Sequence, residues 1–352
     1  MQDATAPRPA LTHAPKRPLP FYVEPAPDEA LFSWLMRLTT RMGVSMHALA
    51  KCSFGIDDRQ GYTRWWCRPH PWLLMRISER TDIAVARLRT MTFEGFQPIY
   101  RDDEAHTRFT GRRYESRSHA SRSYRFAVCS RCLKADAKPY LRRSWLIGWM
   151  AVCPHHETVL IDRCAACGAT LRVAPFASAS RFSPTICTRC ARSVLDEREV
   201  SAHPSVIRLQ AALWRGKSED VIDLEGLGRL RWPEMIALAD VLLGMTWTDL
   251  TLAEQEHIFN LYVIETGETM PGEDGIYERR HGSLRFLAWL THGWPDSPGA
   301  TIGRRLLARW LTADRNRLCR HLRAPDADPW TVGLTNFELS IRERLRVLAD
   351  AS

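Results

Sequence analysis

The chain has 352 residues, 45% of them hydrophobic and 25% charged, with a formal net charge of +9. That length holds two or three domains with a real apolar core, and the composition is that of an ordinary globular protein, which excludes a fibrous or low-complexity class. No run of 18 or more apolar residues and no apolar signal segment occurs, so no membrane is expected as a partner and a cytoplasmic location is, while the basic balance suits a phosphate-bearing or acidic partner.

Residues 1–20 carry Pro7, Pro9, Pro15, Pro18 and Pro20 and read as an extended lead. Residues 21–105 form a helical unit. A helix is expected to start at Pro27-Asp28-Glu29, with Asp28 as its cap and Glu29 at its positive end. Leu31, Trp34, Leu35, Leu38 and Met42 make one apolar face, and Gly43 stops it. Ser45 then caps a short second helix through Leu49. Helix, glycine turn and capped helix is the helix-turn-helix layout.

A weaker copy lies 39 residues on, where Arg76 to Ile83 runs parallel to Arg37 to Val44 and Leu88 matches Leu49. Asp82 stands for Gly43 and Ala84 for the capping Ser45. Two readings stand side by side. One is a plain helical bundle with Trp65, Trp66 and Trp72 in its core. The other is a nucleic-acid reader in which Ser45 and His47 face a groove.

Residues 106–128 are a basic, aromatic linker. Arg108, Arg112, Arg113, Arg117, Arg122 and Arg125 alternate with Phe109, Tyr114, Tyr124 and Phe126. Guanidinium groups pair with phosphates and aromatic faces stack on bases, so this segment is a candidate contact for nucleic acid or a partner; a solvated loop is the alternative.

Residues 129–200 carry the firmest signal. Four two-ligand pairs follow one another: Cys129 and Cys132, Cys153 and His156, Cys164 and Cys167, Cys187 and Cys190. Each has the i, i+3 spacing at which a tight turn aims two side chains at one ion. Gaps of 20 and 19 residues separate the pairs within each half, as in zinc ribbons. With thiols reduced, these cysteines are metal ligands before they are disulfides. Two structural Zn²⁺ ions are expected, one Cys₃His and one Cys₄. Spacing leaves open sequential or interleaved pairing, and His155 stands beside His156, which the turn favours. Trp145 and Leu146 are expected to lie over the metal sites. The isolated Cys52, Cys67 and Cys319 read as small buried apolar residues.

Residues 201–352 read as a C-terminal helical domain. Its stripes are Val206, Leu209 and Leu213; Met235, Leu238, Leu242 and Leu243 after Pro233-Glu234; Leu284, Leu287, Trp289 and Leu290 before a Gly293-Trp294-Pro295 breaker; Ile302, Leu306, Leu307, Trp310 and Leu311; and Phe337, Ile341, Leu345 and Leu348. The acidic stretch 264–278 reads as a loop. The fold class is therefore mainly α, with helix-turn-helix-like helices, a central tandem zinc-finger module of short β-hairpins and a helical C-terminal part.

Catalytic signatures are missing: no phosphate-binding glycine loop and no nucleophile elbow. The acidic groups Asp57-Asp58 and Asp102-Asp103-Glu104 lack a spaced third carboxylate. Eight protein ligands for two ions leave no coordination position for water, which argues against an enzyme.

The motif Pro25-x-Pro27-Asp28-Glu29-Ala30-Leu31-Phe32-Ser33-Trp34-Leu35-Met36-Arg37-Leu38, with Gly43-Val44-Ser45 behind it, resembles the opening of the TniQ family. So does Cys129-x-x-Cys132-Leu133-x-x-Asp136, followed by Pro139-Tyr140-x-Arg142-x-x-Trp145, Val152-Cys153-Pro154-x-His156 and Leu160-Ile161-Asp162-Arg163-Cys164-x-x-Cys167-Gly168. The resemblance covers about residues 18–195. It implies a target-selection adaptor in DNA transposition, which joins a target-recognising element to an AAA+ regulator ATPase and a separate transposase. It implies that the target is read on DNA or through an RNA-guided CRISPR effector, and that a homodimer forms. It carries the zinc-ligand role onto the eight positions above. A sequence-specific DNA-binding regulator outside transposition is the alternative.

Overall fold

The computed structural model of the chain describes residues 18–56, 69–92, 124–147, 149–173, 183–196, 199–224, 227–240, 242, 250–267, 276–294, 296–313 and six positions within 343–350. The expected lead at 1–17, Trp65, Trp66, the arginines from 108 to 122, Cys67, Cys319 and most of the final helix lie outside these residues.

α1 (Leu31–Met42) buries Leu31, Phe32, Trp34, Leu35, Met36 and Leu38. It ends where Gly43 takes φ 68° and the Gly43 and Val44 N–H groups close on the Thr40 and Thr39 carbonyls, a left-handed stop that glycine adopts without cost. α2 (Met46–Ala48) begins at Ser45, whose hydroxyl accepts from the Ala48 N–H, and runs on as a π-helical turn (Leu49–Phe54). α3 (Pro71–Thr81) and α4 (Val85–Thr90) repeat the arrangement. Asp82, standing where the first pair has Gly43, takes the same left-handed conformation at φ 59°, and Ala84 starts α4 with no side-chain cap. Leu49 and Leu88 are both buried. The two helical pairs are thus related in backbone as well as in sequence.

One expectation about α1 is overturned. Its N-cap is Ala30, with no side-chain bond. Asp28 lies outside the helix at φ 52° and reaches instead to residues 143 and 144, described below. Cys52 is exposed rather than buried, because it sits on the solvent side of the π-helical turn whose other face carries Ser53 and Phe54.

The middle of the chain is held by short pairings. β1 (Tyr124–Arg125) pairs antiparallel with β2 (Arg172–Val173), and isolated bridges join Val128 to Ile161, Val152 to Val159, Arg163 to Thr170 and Ile186 to Ser193. α5 (Ser130–Ala135) and a 3₁₀ turn (Ser144–Leu146) complete this part. Its apolar side chains share one core with the N-terminal helices: Trp34, Leu35, Phe54, Ile77 and Leu88 pack in the same cluster as Phe126, Leu141, Trp145, Leu171 and Val194.

A second core lies beyond. Ile147, Trp149, Met150, Ala151 and Val152 leave the first core and join the C-terminal helices. These are α6 (Pro204–Glu219), α7 (Trp232–Asp240), α8 (Leu252–Thr266), α9 (Ile276–Thr291) and α10 (Pro298–Ala313). The expected stripes are buried at Val206, Leu209, Leu213, Met235, Leu238, Leu242, Leu284, Leu287, Leu290, Ile302, Leu306 and Leu307. Between α9 and α10 the contact is close, since a Cβ on Gly299 would stand 2.4 Å from the Trp289 carbonyl.

Two features of this part depart from the sequence reading. β3 (Val221–Leu224) and β4 (Gly228–Arg231) form a hairpin where only helix was expected. α8 runs to Thr266 and α9 starts at Ile276, so both ends of the supposed acidic loop at 264–278 are helical. Overall the fold is mainly α around a tandem zinc module of short β pairings. Among the described residues no helix is long and apolar enough to cross a membrane.

Candidate metal centres and the contacts that hold them

Cys129, Cys132, Cys153 and His156 converge on one point, and Cys164, Cys167, Cys187 and Cys190 on another, each set with its ligand atoms within 4.8 Å of one another. Pairing is therefore sequential. His156 is the histidine ligand: its Nδ1 lies 3.4 Å from Cys129 Sγ, 3.3 Å from Cys132 Sγ and 3.6 Å from Cys153 Sγ. His155 is exposed.

The distances test the ion. Tetrahedral Zn²⁺ with Zn–S about 2.3 Å and Zn–N about 2.0 Å spaces its ligands about 3.8 Å apart for sulfur pairs and about 3.5 Å for sulfur and nitrogen. The sulfur pairs stand 3.6 Å apart (Cys132 and Cys153), 3.6 Å (Cys164 and Cys190) and 3.8 Å (Cys167 and Cys187). Among the described cysteines none is in a disulfide. Donor type, number and spacing fit two structural zinc sites, one Cys₃His and one Cys₄.

Three of the four pairs share one local design. In each, the first cysteine N–H bonds a carbonyl five residues on, and its own carbonyl accepts the N–H four residues on: Cys153 with Thr158 and Glu157, Cys164 with Ala169 and Gly168, Cys187 with Arg192 and Ala191. The fourth-on residue is left-handed each time, at φ 54° for Glu157, 65° for Gly168 and 58° for Ala191. Glycine suits that conformation, so the two knuckles closed by Glu157 and Ala191 store strain that bound metal would offset. The remaining pair differs from the expected turn. Cys129 is the N-cap of α5 and Cys132 lies in its first turn, with Leu133 N–H bonded to the Cys129 carbonyl.

In each shell one thiol is made more acidic and another less so. Hydrogen bonds from Cys132 and Cys153 hold Cys129 far below the ordinary thiol range, and the contact with Cys129 pushes Cys132 well up. In the second shell the Arg192 backbone draws Cys190 down to about 7, while burial pushes Cys164 up to about 12. A thiolate is the form that binds metal, so in each shell one cysteine is drawn toward the binding form.

The rest of the sequence motif explains itself around the first shell. Asp136, at the end of α5, takes both Arg142 nitrogens at 3.0 and 2.8 Å. The guanidinium is thereby laid over Tyr140 and Trp145, 4.5 and 4.7 Å from the ring centroids. Trp145 is fully buried and, with Leu146, packs in the core that contains the ligands. A second device was not legible. Glu29 bridges antiparallel to Arg142, Ala30 N–H bonds Leu141 and Arg143 N–H bonds Asp28. Glu29 itself is buried, accepting from Ala26, Ser33 and Arg37, and burial pushes its carboxyl up despite the Arg37 charge. The signal lay in Pro-Asp-Glu, but it reads equally as a helix start.

Of the candidate nucleic-acid contacts, Arg108, Arg112, Arg113, Arg117 and Arg122 lie outside the described residues, and of Arg125 only the backbone, in β1, is described. Ser45 is a helix cap, and His47 is half-buried one residue inside α2. No described surface gathers these residues together.

The comparison with curated proteins gives no match. The family model TniQ matches residues 20–160, a span that takes in both helical pairs, the Asp28–Glu29 pairing with residues 141–143 and the whole first metal shell. Over residues 20–160 the chain is similar to the TniQ family.

Proposed function

We propose that this protein is a non-enzymatic target-selection adaptor in transposition, which links a target-recognising element to an AAA+ regulator ATPase and through it to the transposase. The TniQ match over residues 20–160 supports target selection for transposition in general, the work of a non-catalytic family that acts with the transposition machinery. The observation that carries the finer reading is the joint between the helical pairs and the metal shells. Residues 28–30 are stitched to residues 141–143 and both sides share one core. An adaptor must hold two partner faces at a fixed geometry, and that construction supports such a role. Saturated metal shells, each of four protein side chains, suit a scaffold better than a reactive centre.

The target-recognising element is DNA itself or an RNA-guided CRISPR effector, with Ser45, His47, Arg125 and the arginines of 108–122 as the proposed contacts. A cytoplasmic homodimer is the proposed working form. Co-purification with the AAA+ ATPase encoded alongside it, with and without target DNA or guide-RNA complex, tests the reading. Retention of the ATPase is expected. Failure to retain ATPase, DNA and guide-RNA complex alike would overturn it.

A further inference from the structure

Away from the metal shells, a cavity of about 650 Å³ opens among α6, β3, α8 and α9, within the usual range for small-ligand sites. Its lining is divided by chemistry. Ala212, Leu224, Ala288 and Trp289 give an apolar side, whereas Arg208, Arg215 and Arg285 bring three guanidinium groups to the same space. Asp223 is the one carboxylate among its lining residues, so these four charges sum to 3 − 1 = +2.

His203, also in the lining, is made less basic by burial and then by the Arg285 and Arg208 charges. Arg208 and Arg215 are exposed on this wall, where guanidinium forks can take an anion. A second observation concerns Tyr262, which lines the cavity and is fully buried. Its hydroxyl lies against the Thr266 side chain, whose own hydroxyl donates to the Tyr262 backbone carbonyl. Trp289 is fixed beside it: its Nε1 donates to Glu265 at 2.8 Å, and its ring meets that of Tyr262 edge to face at 5.3 Å. Three arginines and a held indole around one hollow describe a ligand with an anionic head and a flat apolar body.

We propose that this cavity binds a nucleotide unit, with its phosphate among Arg208, Arg215 and Arg285 and its base along Trp289. Guanidinium forks match phosphate oxygens, and a base stacks on an indole whatever its sequence. The unit is either a free nucleoside monophosphate or one residue of a single strand. The site does not depend on the adaptor reading, since neither the metal shells nor a partner protein contributes to it.

Calorimetric titration of the full-length zinc-loaded chain tests the site with four probes: AMP, adenosine, inorganic phosphate and a thymidine tetranucleotide. AMP is expected to bind at least about tenfold tighter than adenosine or phosphate alone, since it engages both halves of the site. Arg208→Glu and Arg215→Glu, both exposed positions, are each expected to weaken AMP about tenfold or more with circular dichroism and zinc content unchanged. A tetranucleotide that binds tighter than AMP and is weakened by the same variants identifies a strand as the source; AMP binding alone identifies a free nucleotide. AMP no tighter than adenosine, or variants that bind it as the parent does, would overturn the proposal. Neither result bears on ATPase retention, so the two proposals fail separately.

Discussion

Asp28 Oδ2 accepts the backbone N–H of Ser144 at 3.1 Å, tying the turn before α1 to the 3₁₀ turn beside the first metal shell. Its other oxygen faces the Arg143 guanidinium at 3.3 Å. Asp28→Ala removes both contacts and puts alanine at φ 52°, with an expected loss of about 1–3 kcal/mol. Asp28→Asn keeps an acceptor oxygen and tolerates the left-handed conformation, so it should lose less than half of that. Urea midpoints of the two variants check this, and an unchanged midpoint for Asp28→Ala would show that the tie carries no stability.

Metal removal should reach further than the zinc module. Cys129, Cys132, Cys153, Cys164 and Cys187 are buried in the same cluster as Trp34, Leu35 and Ile77, and a structural zinc contributes on the order of 10 kcal/mol to the fold it closes. Chelation, or Cys132→Ser, is expected to loosen α1 and α3 as well as residues 129–195. Hydrogen exchange read at residues 31–42 is the measurement; full protection there in metal-free protein would separate the helices from the shells. Metal analysis of the native chain should return two zinc ions.

Gln210 fixes the segment just ahead of Cys153 to α6. Its Oε1 accepts from the Ala151 and Val152 N–H groups at 3.0 Å each, and its Nε2 donates to the Val152 carbonyl at 2.8 Å. Gln210→Ala strands buried backbone groups that each cost about 1–3 kcal/mol, so a loss of about 3 kcal/mol or more is expected. Thermal unfolding should also split, with the C-terminal helices melting before the metal-held part. A single transition at the parent temperature would refute that.

Acid should weaken the C-terminal part through His281. Burial lowers its pKa to about 4, against 6.5 for a free histidine, and its Nε2 accepts from the His203 N–H at 2.9 Å only while neutral. The unfolded chain takes up this proton first. The His281 contribution is therefore complete above about pH 6.5, falls as pH drops from there towards 4, and is fully lost below, a change of at most about 3 kcal/mol. His203 shifts in the same direction, again chiefly through burial. His281→Gln, which keeps an acceptor, should flatten the stability profile between pH 6.5 and 4; an identical profile would remove His281 as its cause.

Gly299→Ala should separate α10 from α9. The added Cβ would meet the Trp289 carbonyl at 2.4 Å and its ring at 2.9 Å. Backbone cannot swing aside as a side-chain end can, so about 1–3 kcal/mol is expected to be lost. A melting temperature equal to the parent's would show that the two helices have room to spare.

Metal chemistry was the part most legible in the sequence, because it forces ligand types and an i, i+3 spacing that survive without any alignment. The helical pairs were legible for a related reason: Gly43 and Ser45 are punctuation with a local cause. Asp28 was misread because a carboxylate just ahead of an apolar stripe looks like a cap, and its true partner lies at position 144. The hairpin of β3 and β4 was hidden because Val221-Ile222-Asp223-Leu224 is four residues long, too short to distinguish from a helical stripe. α8 was passed over since its apolar residues do not fall on one side: Ile258 and Tyr262 are buried while Leu252 and Ile264 are exposed. Contacts made at long separation leave no periodic trace, which is why the shared core of helices and metal shells appears only in three dimensions.

That shared core has a consequence for synthesis. Residues 31–91 leave the ribosome first, yet the cluster they belong to is completed by residues as distant as Val194. Long-range closure is slow, and the exposed apolar faces of α1 and α3 must wait about 100 residues, roughly 5–20 seconds at ordinary elongation rates. Until Cys187 and Cys190 emerge the second shell cannot close either. Zinc supply during translation, rather than after release, is thus expected to decide the yield of folded chain.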